Sequence, residues 1–255
     1  MQKSIASNCQ LSQRRHAVRG AILAVTATCL MASSWAGVDS SEAAQSAHIG
    51  TASAGKLSAA GVISSTRTAS FGQERVSPEA LHVANWVVDS DDNQGMPFLI
   101  IDKVHARVMM FDAAGHLQGV APALLGLARG DDSAPGIGQR KLSSIRPEER
   151  TTPAGRFIAS LGRDLNGKEM LWVDYDTAIS LHPVAKGTPA ERRGHRLDTP
   201  TPDDNRISYG CVNVPLKFYQ SLVSPAFTGT SGIVYILPET RTAREVFGSY
   251  EVKKL

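Results

Sequence analysis

Residues 206–215 read Arg206-Ile207-Ser208-Tyr209-Gly210-Cys211-Val212-Asn213-Val214-Pro215. The glycine directly before Cys211 allows the backbone to turn sharply and to come close to a substrate. In such a turn, the successive N–H groups of Gly210 and Cys211 can point at a developing oxyanion. A helix that begins near Pro215 would bring its positive end close to the sulfur and favour the reactive thiolate. The pattern predicts that Cys211 is a nucleophile.

A nucleophilic thiol needs a general base within reach, and two histidines are the main candidates. His182 closes the apolar run that begins at Ala178, which predicts a position at the end of a strand. His195 lies in a run of charged residues, which is typical of a solvated loop. We therefore predict His182 as the base and keep His195 as the alternative.

The N-terminal segment, residues 1–36, has the layout of a secretory signal peptide. Three arginines precede an apolar run over 21–32, and small residues follow at Ser34 and Ala36. The run is shorter than the roughly 20 apolar residues that cross a bilayer. We expect cleavage near Ala36, no stable membrane span after it, and a periplasmic or secreted protein. The alternative is an uncleaved membrane anchor.

Export changes what the cysteines can do, because a secreted chain lies in an oxidising compartment. The chain has three cysteines, Cys9, Cys29 and Cys211. Cleavage near Ala36 would leave Cys211 alone, so that no internal disulfide can form. Such a leftover thiol is either an inert buried side chain or a reactive one.

The charge of the chain argues against a nucleic-acid partner. The net charge is +3, and residues 1–36 carry four basic side chains and no acidic one. The remainder of the chain is therefore nearly neutral. A nearly neutral body lacks the basic surface that phosphate backbones require.

The chain divides into a signal peptide, a linker, a folded domain and a tail. Residues 37–75 are dominated by Ala, Ser, Thr and Gly, which predicts a flexible linker. Residues 76–240 form the expected domain, and residues 241–255 form a polar C-terminal tail. The domain opens on a helix start at Ser77-Pro78, and a second helix is predicted from Pro215 through Val223.

Between these helices the sequence has the pattern of short strands separated by turns, as in 98–101 and 107–111. Many short strands with few helices predict a mainly β fold, a β-sandwich of mixed sheets with a few short helices. Two loops, 129–150 and 185–206, are unusually polar for their length. Long loops of this kind in a compact domain are often functional.

The cysteine segment resembles the signature of L,D-transpeptidase catalytic domains, the YkuD-like fold. The usual form there is Ser/Thr-His-Gly-Cys, then any residue, then Asn or Arg. Residues 152–157, Thr-Pro-Ala-Gly-Arg-Phe, are similar to the family's Thr-Pro hairpin. Residues 179–182 are similar to the strand that carries its catalytic histidine, and 98–126 to its opening hairpin. The resemblance covers residues 97–240.

This resemblance implies an L,D-transpeptidase-like fold with Cys211 as nucleophile, His182 as general base and N–H groups of Gly210 and Cys211 as oxyanion donors. Other residues of the motif would bind substrate or support the site, namely Arg206, Ser208, Tyr209 and Asn213. Two departures stand out. Tyr209 replaces the family's histidine, and the separation of His182 from Cys211 is longer than usual. An insertion between Ala185 and Asn205 would explain that separation.

The resemblance implies acyl transfer between peptidoglycan stem peptides through a thioester, without a cofactor, and inhibition by β-lactams of the carbapenem class. Three alternatives stay open. A hydrolase on the same fold, an L,D-carboxypeptidase or endopeptidase, would use water as acceptor. A non-catalytic cell-wall-binding module would keep only the cleft. A zinc enzyme is disfavoured, because no usual ligand spacing matches the available residues, His182, His195, Asp203 and Cys211.

Overall fold

The computed structural model describes residues 66–164 and 166–253. The predicted signal peptide, residues 1–36, and most of the predicted linker lie outside the described residues. Within the described ranges, no helix has both the length and the apolar character that a membrane crossing requires.

Ten strands lie in the described part of the chain, and eight of them form one mixed sheet. The sheet order is β3-β2-β1-β10-β5-β6-β7-β9, and the short strands β4 and β8 pair with each other. The pairs β1–β10 and β7–β9 are parallel, as is β4–β8, and the others are antiparallel. The predicted mainly β class, with mixed sheets and a few short helices, is confirmed. The strands are β1 (Phe98–Asp102), β2 (Arg107–Phe111), β3 (Leu117–Pro122), β4 (Leu125–Gly126), β5 (Gly155–Arg163), β6 (Glu169–Asp174), β7 (Ile179–Pro183), β8 (Arg206–Ser208), β9 (Val212–Val214) and β10 (Ser231–Ile236).

The helices are short and stand at the ends and faces of the sheet. The first, α1, begins as the sequence predicts, because the Ser77 side chain accepts the N–H of Ala80 at the helix start. The predicted helix after Pro215 extends four residues further than expected, to Phe227, through a π-helical stretch. The helices are α1 (Pro78–Ser90), α2 (Arg193–Asp198), α3 (α-helical at Leu216–Phe218, π-helical at Tyr219–Val223, α-helical at Ser224–Phe227) and α4 (Ala243–Phe247).

The two polar loops are folded rather than irregular. The first contains three 3-10 turns, and the second contains α2 between two such turns. A 3-10 turn closes local backbone hydrogen bonds within a few residues. These loops therefore carry their own backbone pairing. The 3-10 turns are Ile137–Gln139, Leu142–Ser144, Pro147–Glu149, Pro189–Glu191 and Asp203–Asn205.

Both faces of the large sheet are covered at β1 and β10, whose residues are almost all buried. Side chains of β1 alternate between two apolar clusters. Phe98 and Ile100 pack with α1, whereas Leu99 and Ile101 pack in the cluster that α3 covers. This packing holds the strands rigidly in place, which is what a site at the sheet edge requires.

Residues on both sides of the predicted limits of 76–240 pack against the domain. At the described end of the predicted linker, Phe71 contacts Phe111 edge to face, with ring centroids 5.6 Å apart. In the predicted tail, α4 places Phe247 against Trp86, with nearly parallel rings 6.2 Å apart. Aromatic side chains bury large apolar areas. That burial draws both flanking segments onto the domain.

A buried cluster of charges anchors the hairpin that precedes β5. The Lys103 ammonium donates to Asp131 Oδ1 at 2.8 Å and to the Thr152 carbonyl at 3.0 Å. Arg206 pairs with Glu239 beside it, at 2.7 Å. Burial alone would raise the pKa of Asp131, but the Lys103 ammonium and neighbouring donors hold that pKa well below its usual range. The cluster therefore fixes the position of Thr152, which in turn contacts the cysteine turn.

Candidate active site

The parallel pairing of β7 with β9 gathers four polar side chains on one face of the sheet. His182 and Asn213 are register partners, so their side chains share a face, while their neighbours in both strands point into the core. Two residues earlier in each segment, extension of the same register brings Ser180 opposite Cys211, and the Ser180 Oγ lies 3.5 Å from the Cys211 Sγ. The sequence-predicted nucleophile and base are thus neighbours, although the segment between β7 and β8 separates them in the chain.

Cys211 and His182 shift each other's pKa in opposite directions. Burial is the largest single influence and raises the pKa of the Cys211 thiol, but the contact with His182 and the hydrogen bonds from Ser180 together hold that pKa below its ordinary value. Burial is likewise the largest single influence and lowers the pKa of the His182 imidazole, but the contact with Cys211 and the hydrogen bond to the Pro183 carbonyl together hold that pKa above its ordinary value. Together the two shifts favour a thiolate beside an imidazolium, which is the nucleophilic state.

The group that orients His182 is the Pro183 carbonyl. His182 Nδ1 lies 2.8 Å from this oxygen. A carbonyl oxygen only accepts hydrogen bonds, so Nδ1 must carry the proton and donate it. The other ring nitrogen is then the one available to the thiol. The sequence had left this third group open, since nothing in a Pro residue points to such a role.

Ser180 contacts the reacting sulfur, and sequence reasoning missed it. Its hydroxyl donates to Cys211 Sγ, and the neutral thiol donates in turn to the Ala178 carbonyl at 3.6 Å. Ser180 is almost completely buried, with 1% of its surface exposed. The signal that could have found it is the alternation of side chains along β7, which puts Ser180 and His182 on one face.

Replacing Ser180 by alanine is expected to raise the pKa of the Cys211 thiol, because the thiolate loses a hydrogen-bond donor. A hydrogen bond to a charged group contributes about 1.5–3 kcal/mol, so alkylation by iodoacetamide at neutral pH should slow about tenfold. The rate is measured by intact mass spectrometry across pH. Ser180→Thr keeps the hydroxyl and should restore most of the rate. An unchanged pH profile in Ser180→Ala would contradict this assignment.

The turn that carries the cysteine is held by Thr152 and requires glycine. The Thr152 hydroxyl donates to the Gly210 carbonyl at 2.7 Å and accepts the Gly126 N–H at 2.8 Å. Gly210 has φ of 129°, and a Cβ there would lie 2.8 Å from the Thr151 carbonyl oxygen. The backbone therefore approaches the Thr-Pro hairpin more closely than any side chain would allow. The two sequence motifs form one hydrogen-bonded unit.

The Gly210 N–H, predicted as an oxyanion donor, is occupied in the structure. It donates to Ser208 Oγ at 3.1 Å, and the Ser208 hydroxyl donates to the Cys211 carbonyl at 2.6 Å. The serine side chain thus bridges two backbone groups of the same turn. Serine hydroxyls commonly form such local hydrogen bonds with nearby backbone groups. The Cys211 N–H is left as the candidate oxyanion donor.

The remaining motif residues support the site from its periphery. Asn213 Nδ2 donates to the Cys211 carbonyl at 3.2 Å. The Tyr209 ring lies under the Arg150 guanidinium, whose carbon is 4.0 Å from the ring centroid. Arg206 belongs to the buried charge cluster, where it pairs with Glu239. His195 is exposed on α2, where nothing relates it to the sulfur.

A cleft of about 590 Å³ opens beside His182. It lies between the β5–β6 hairpin, the end of β7 and α3. Its lining mixes apolar surface with a few polar groups, as is usual for ligand clefts. Among residues 66–164 and 166–253, no cluster of three or more His, Cys, Asp and Glu side chains is placed to hold a metal ion. The lining residues include Asp164, Lys168, Met170, His182, Val184 and Tyr219.

No protein-family model matches the chain, and neither does any curated protein. Among solved structures, it is similar to an L,D-transpeptidase from Xylanimonas cellulosilytica, at 14% identity and a TM-score of 0.31. That match covers 55% of this chain and spans 60% of the length of that structure. It is also similar to the catalytic domain of an E. faecium L,D-transpeptidase, at 16% identity and a TM-score of 0.26, over 55% of this chain and 95% of that one.

Proposed function

We propose that the chain is a peptidoglycan L,D-transpeptidase in which Cys211 transfers an acyl group between stem peptides. The observation that carries the proposal is the pairing of Cys211 with His182, whose Nδ1 is held by the Pro183 carbonyl. The resemblance of the cysteine turn and the Thr-Pro hairpin to that family supports the choice of substrate. A location in the bacterial periplasm, or secretion from the cell, is part of the same proposal.

The first half of the reaction forms a thioester. His182 takes the proton of Cys211, and the thiolate attacks the amide carbonyl on the L-side of the donor stem peptide. The Cys211 N–H stabilises the oxyanion of the tetrahedral intermediate. When that intermediate collapses, the C–N bond breaks. The His182 imidazolium then gives its proton to the departing amine of D-alanine.

The second half resolves the thioester with an amine of a neighbouring stem peptide. His182, now neutral, takes a proton from the attacking amine, and a new amide bond forms as the C–S bond breaks. The thiol leaves with a proton from His182, which returns the site to its starting state. The cleft beside His182 offers space for the second chain, and its occupancy would favour the amine over water.

Two rival functions use the same site differently. A hydrolase, acting as an L,D-carboxypeptidase or endopeptidase, would resolve the thioester with water. A cell-wall-binding module would use the cleft without any thioester. The lowered pKa of the thiol and the raised pKa of its histidine favour catalysis over binding alone. Pairs of titratable groups with such shifted pKa values are concentrated at active sites.

The proposal is tested by incubating the full chain with a stem tetrapeptide and an excess of an acceptor stem amine. We expect release of D-alanine together with a cross-linked product, identified by mass spectrometry. Release of D-alanine without any cross-link would assign the hydrolase function. An absence of release from protein that binds peptidoglycan would assign the wall-binding function.

A further inference from the structure

The inserted segment between β7 and β8 sends one arginine into the site. Arg193 is the first residue of α2, and its side chain is only 9% exposed. Its Nη1 donates to Asn213 Oδ1 at 3.2 Å, and its Nε donates to Glu191 Oε2 at 2.8 Å. A buried guanidinium with a carboxylate partner is held in a defined direction. Arg193 is thus a fixed part of the site's wall.

The local fold of the segment is built around the Glu191–Arg193 pair. Glu191 Oε2 also accepts the Thr188 N–H at 3.1 Å, closing the 3-10 turn that precedes α2. Gly187 has φ of +62°, and a Cβ there would lie 2.0 Å from Glu191 Oε2 and 2.8 Å from Arg193 Nε. Only glycine leaves room for the pair. The tight turn at Gly187 therefore allows the Glu191–Arg193 pair to form.

Arg193 decides how the Asn213 amide is oriented. An arginine side chain has donors and no acceptor, so the Asn213 atom that faces it must be the oxygen. The amide nitrogen then faces the Cys211 carbonyl, to which it donates at 3.2 Å. With the Ser208 hydroxyl at 2.6 Å, this carbonyl has two donors. They fix the peptide plane that follows Cys211, and with it the direction of the sulfur.

The positive charge of Arg193 also acts on His182. It opposes the imidazolium and lowers the pKa of His182, in the same direction as the larger effect of burial and against the raising effect of the thiol. The other titratable or charged groups near the imidazole belong to the facing elements of the cleft. They are Cys211 before β9, Asp164, Lys168 and Glu169 in the β5–β6 hairpin, and Tyr219 in α3.

We propose that Arg193 is a positioning residue for the Cys211–His182 pair, supplied by the inserted segment 185–205. It orients Asn213, which holds the Cys211 carbonyl, and it places a positive charge near the His182 imidazole. The proposal rests on the proposed function only in taking Cys211 as the nucleophile.

The test compares Arg193→Met with Lys186→Met in the full chain, since Lys186 is an exposed cation of the same segment. Two readouts are taken: the rate of acylation by a carbapenem, and the pKa of the His182 imidazole from its NMR titration, assigned with His182→Gln. Arg193→Met should slow acylation about tenfold. A misplacement of the reacting groups by about 1 Å can cost ~100-fold, and we expect a smaller displacement of the sulfur here. The same substitution should also raise the imidazole pKa, because a nearby cation is removed. Lys186→Met should change neither.

Two further variants separate positioning from general stability. Arg193→Lys keeps the charge, so it should leave the imidazole pKa near that of the wild type while acylation slows. In Asn213→Ala, adding Arg193→Met should slow acylation little further, because the contact between the two is already lost. An Arg193→Met variant that matches Lys186→Met in both readouts overturns the proposal. So does slower acylation with an unchanged imidazole pKa.

The two proposals fail in distinguishable ways. The imidazole titration needs no peptide or β-lactam, so it reports on Arg193 even if stem peptides are not the substrate. If the wild type is acylated but forms no cross-link, the proposed transfer fails while the role of Arg193 stands. If cross-links form at equal rates in wild type and Arg193→Met, the role of Arg193 fails alone.

Discussion

Replacing Cys211 by alanine is expected to abolish the covalent adduct with a carbapenem completely. The sulfur is the only atom of the Cys211–His182 pair that can form the thioester, and its lowered pKa favours the nucleophilic thiolate. Intact mass spectrometry of the full chain, before and after incubation, measures the adduct. Wild-type protein should gain the mass of one inhibitor molecule, and Cys211→Ala should gain none.

The control for this experiment is the thermal unfolding midpoint of Cys211→Ala. Cys211 is only partly buried, and its backbone is held by Ser208 and Asn213 rather than by the thiol. The variant should therefore unfold close to the wild-type temperature. An adduct that persists in Cys211→Ala would place the nucleophile elsewhere. An unreactive wild type with intact unfolding behaviour would favour the wall-binding function.

Replacing His182 by alanine is expected to slow acylation by about 10²–10⁴-fold, the usual contribution of a general acid–base group. The contact with His182 is the strongest influence that lowers the pKa of the Cys211 thiol against burial. Without it, the thiol pKa should rise, and alkylation by iodoacetamide should need a higher pH. Stopped-flow or quenched mass spectrometry across pH measures both effects.

His195→Ala is the matched control for His182→Ala. His195 is exposed on α2, so removing its imidazole should leave the acylation rate and its pH profile unchanged. Equal slowing in both variants would indicate that the inserted segment acts through His195 as well. Slowing in His195→Ala alone would show that the base is the other histidine.

The elements that local sequence predicts well are those whose stabilising contacts are also local. The start of α1 is an example, because the Ser77 hydroxyl and the Ala80 N–H that it accepts lie within one turn. The strands β1 and β2 are another, since runs of large apolar residues between polar turns are typical of buried strands. The ends of the domain were harder to place. Phe71 and Phe247 find their aromatic partners far along the chain.

The candidate site likewise has some features that local sequence predicts and others that it does not. Gly210 beside Cys211 indicates a tight turn at a thiol, and that inference needs only neighbouring residues. The occupation of the Gly210 N–H by Ser208 was missed, although it too is local, because a serine two residues away can equally bond elsewhere. Ser180 was missed because its contact with the sulfur depends on the register of two strands.

By itself, the sequence determined that this protein has a mainly β domain with a glycine-preceded cysteine and a histidine at a strand end. Residue type and short-range periodicity are enough for that. Only the tertiary structure decided which histidine meets the sulfur, that the Pro183 carbonyl orients it, and that Arg193 donates to Asn213. The physical reason is that parallel strands pair residues through a long crossover. Their register is set by the burial of one face in the core, a property of the assembled sheet rather than of either strand.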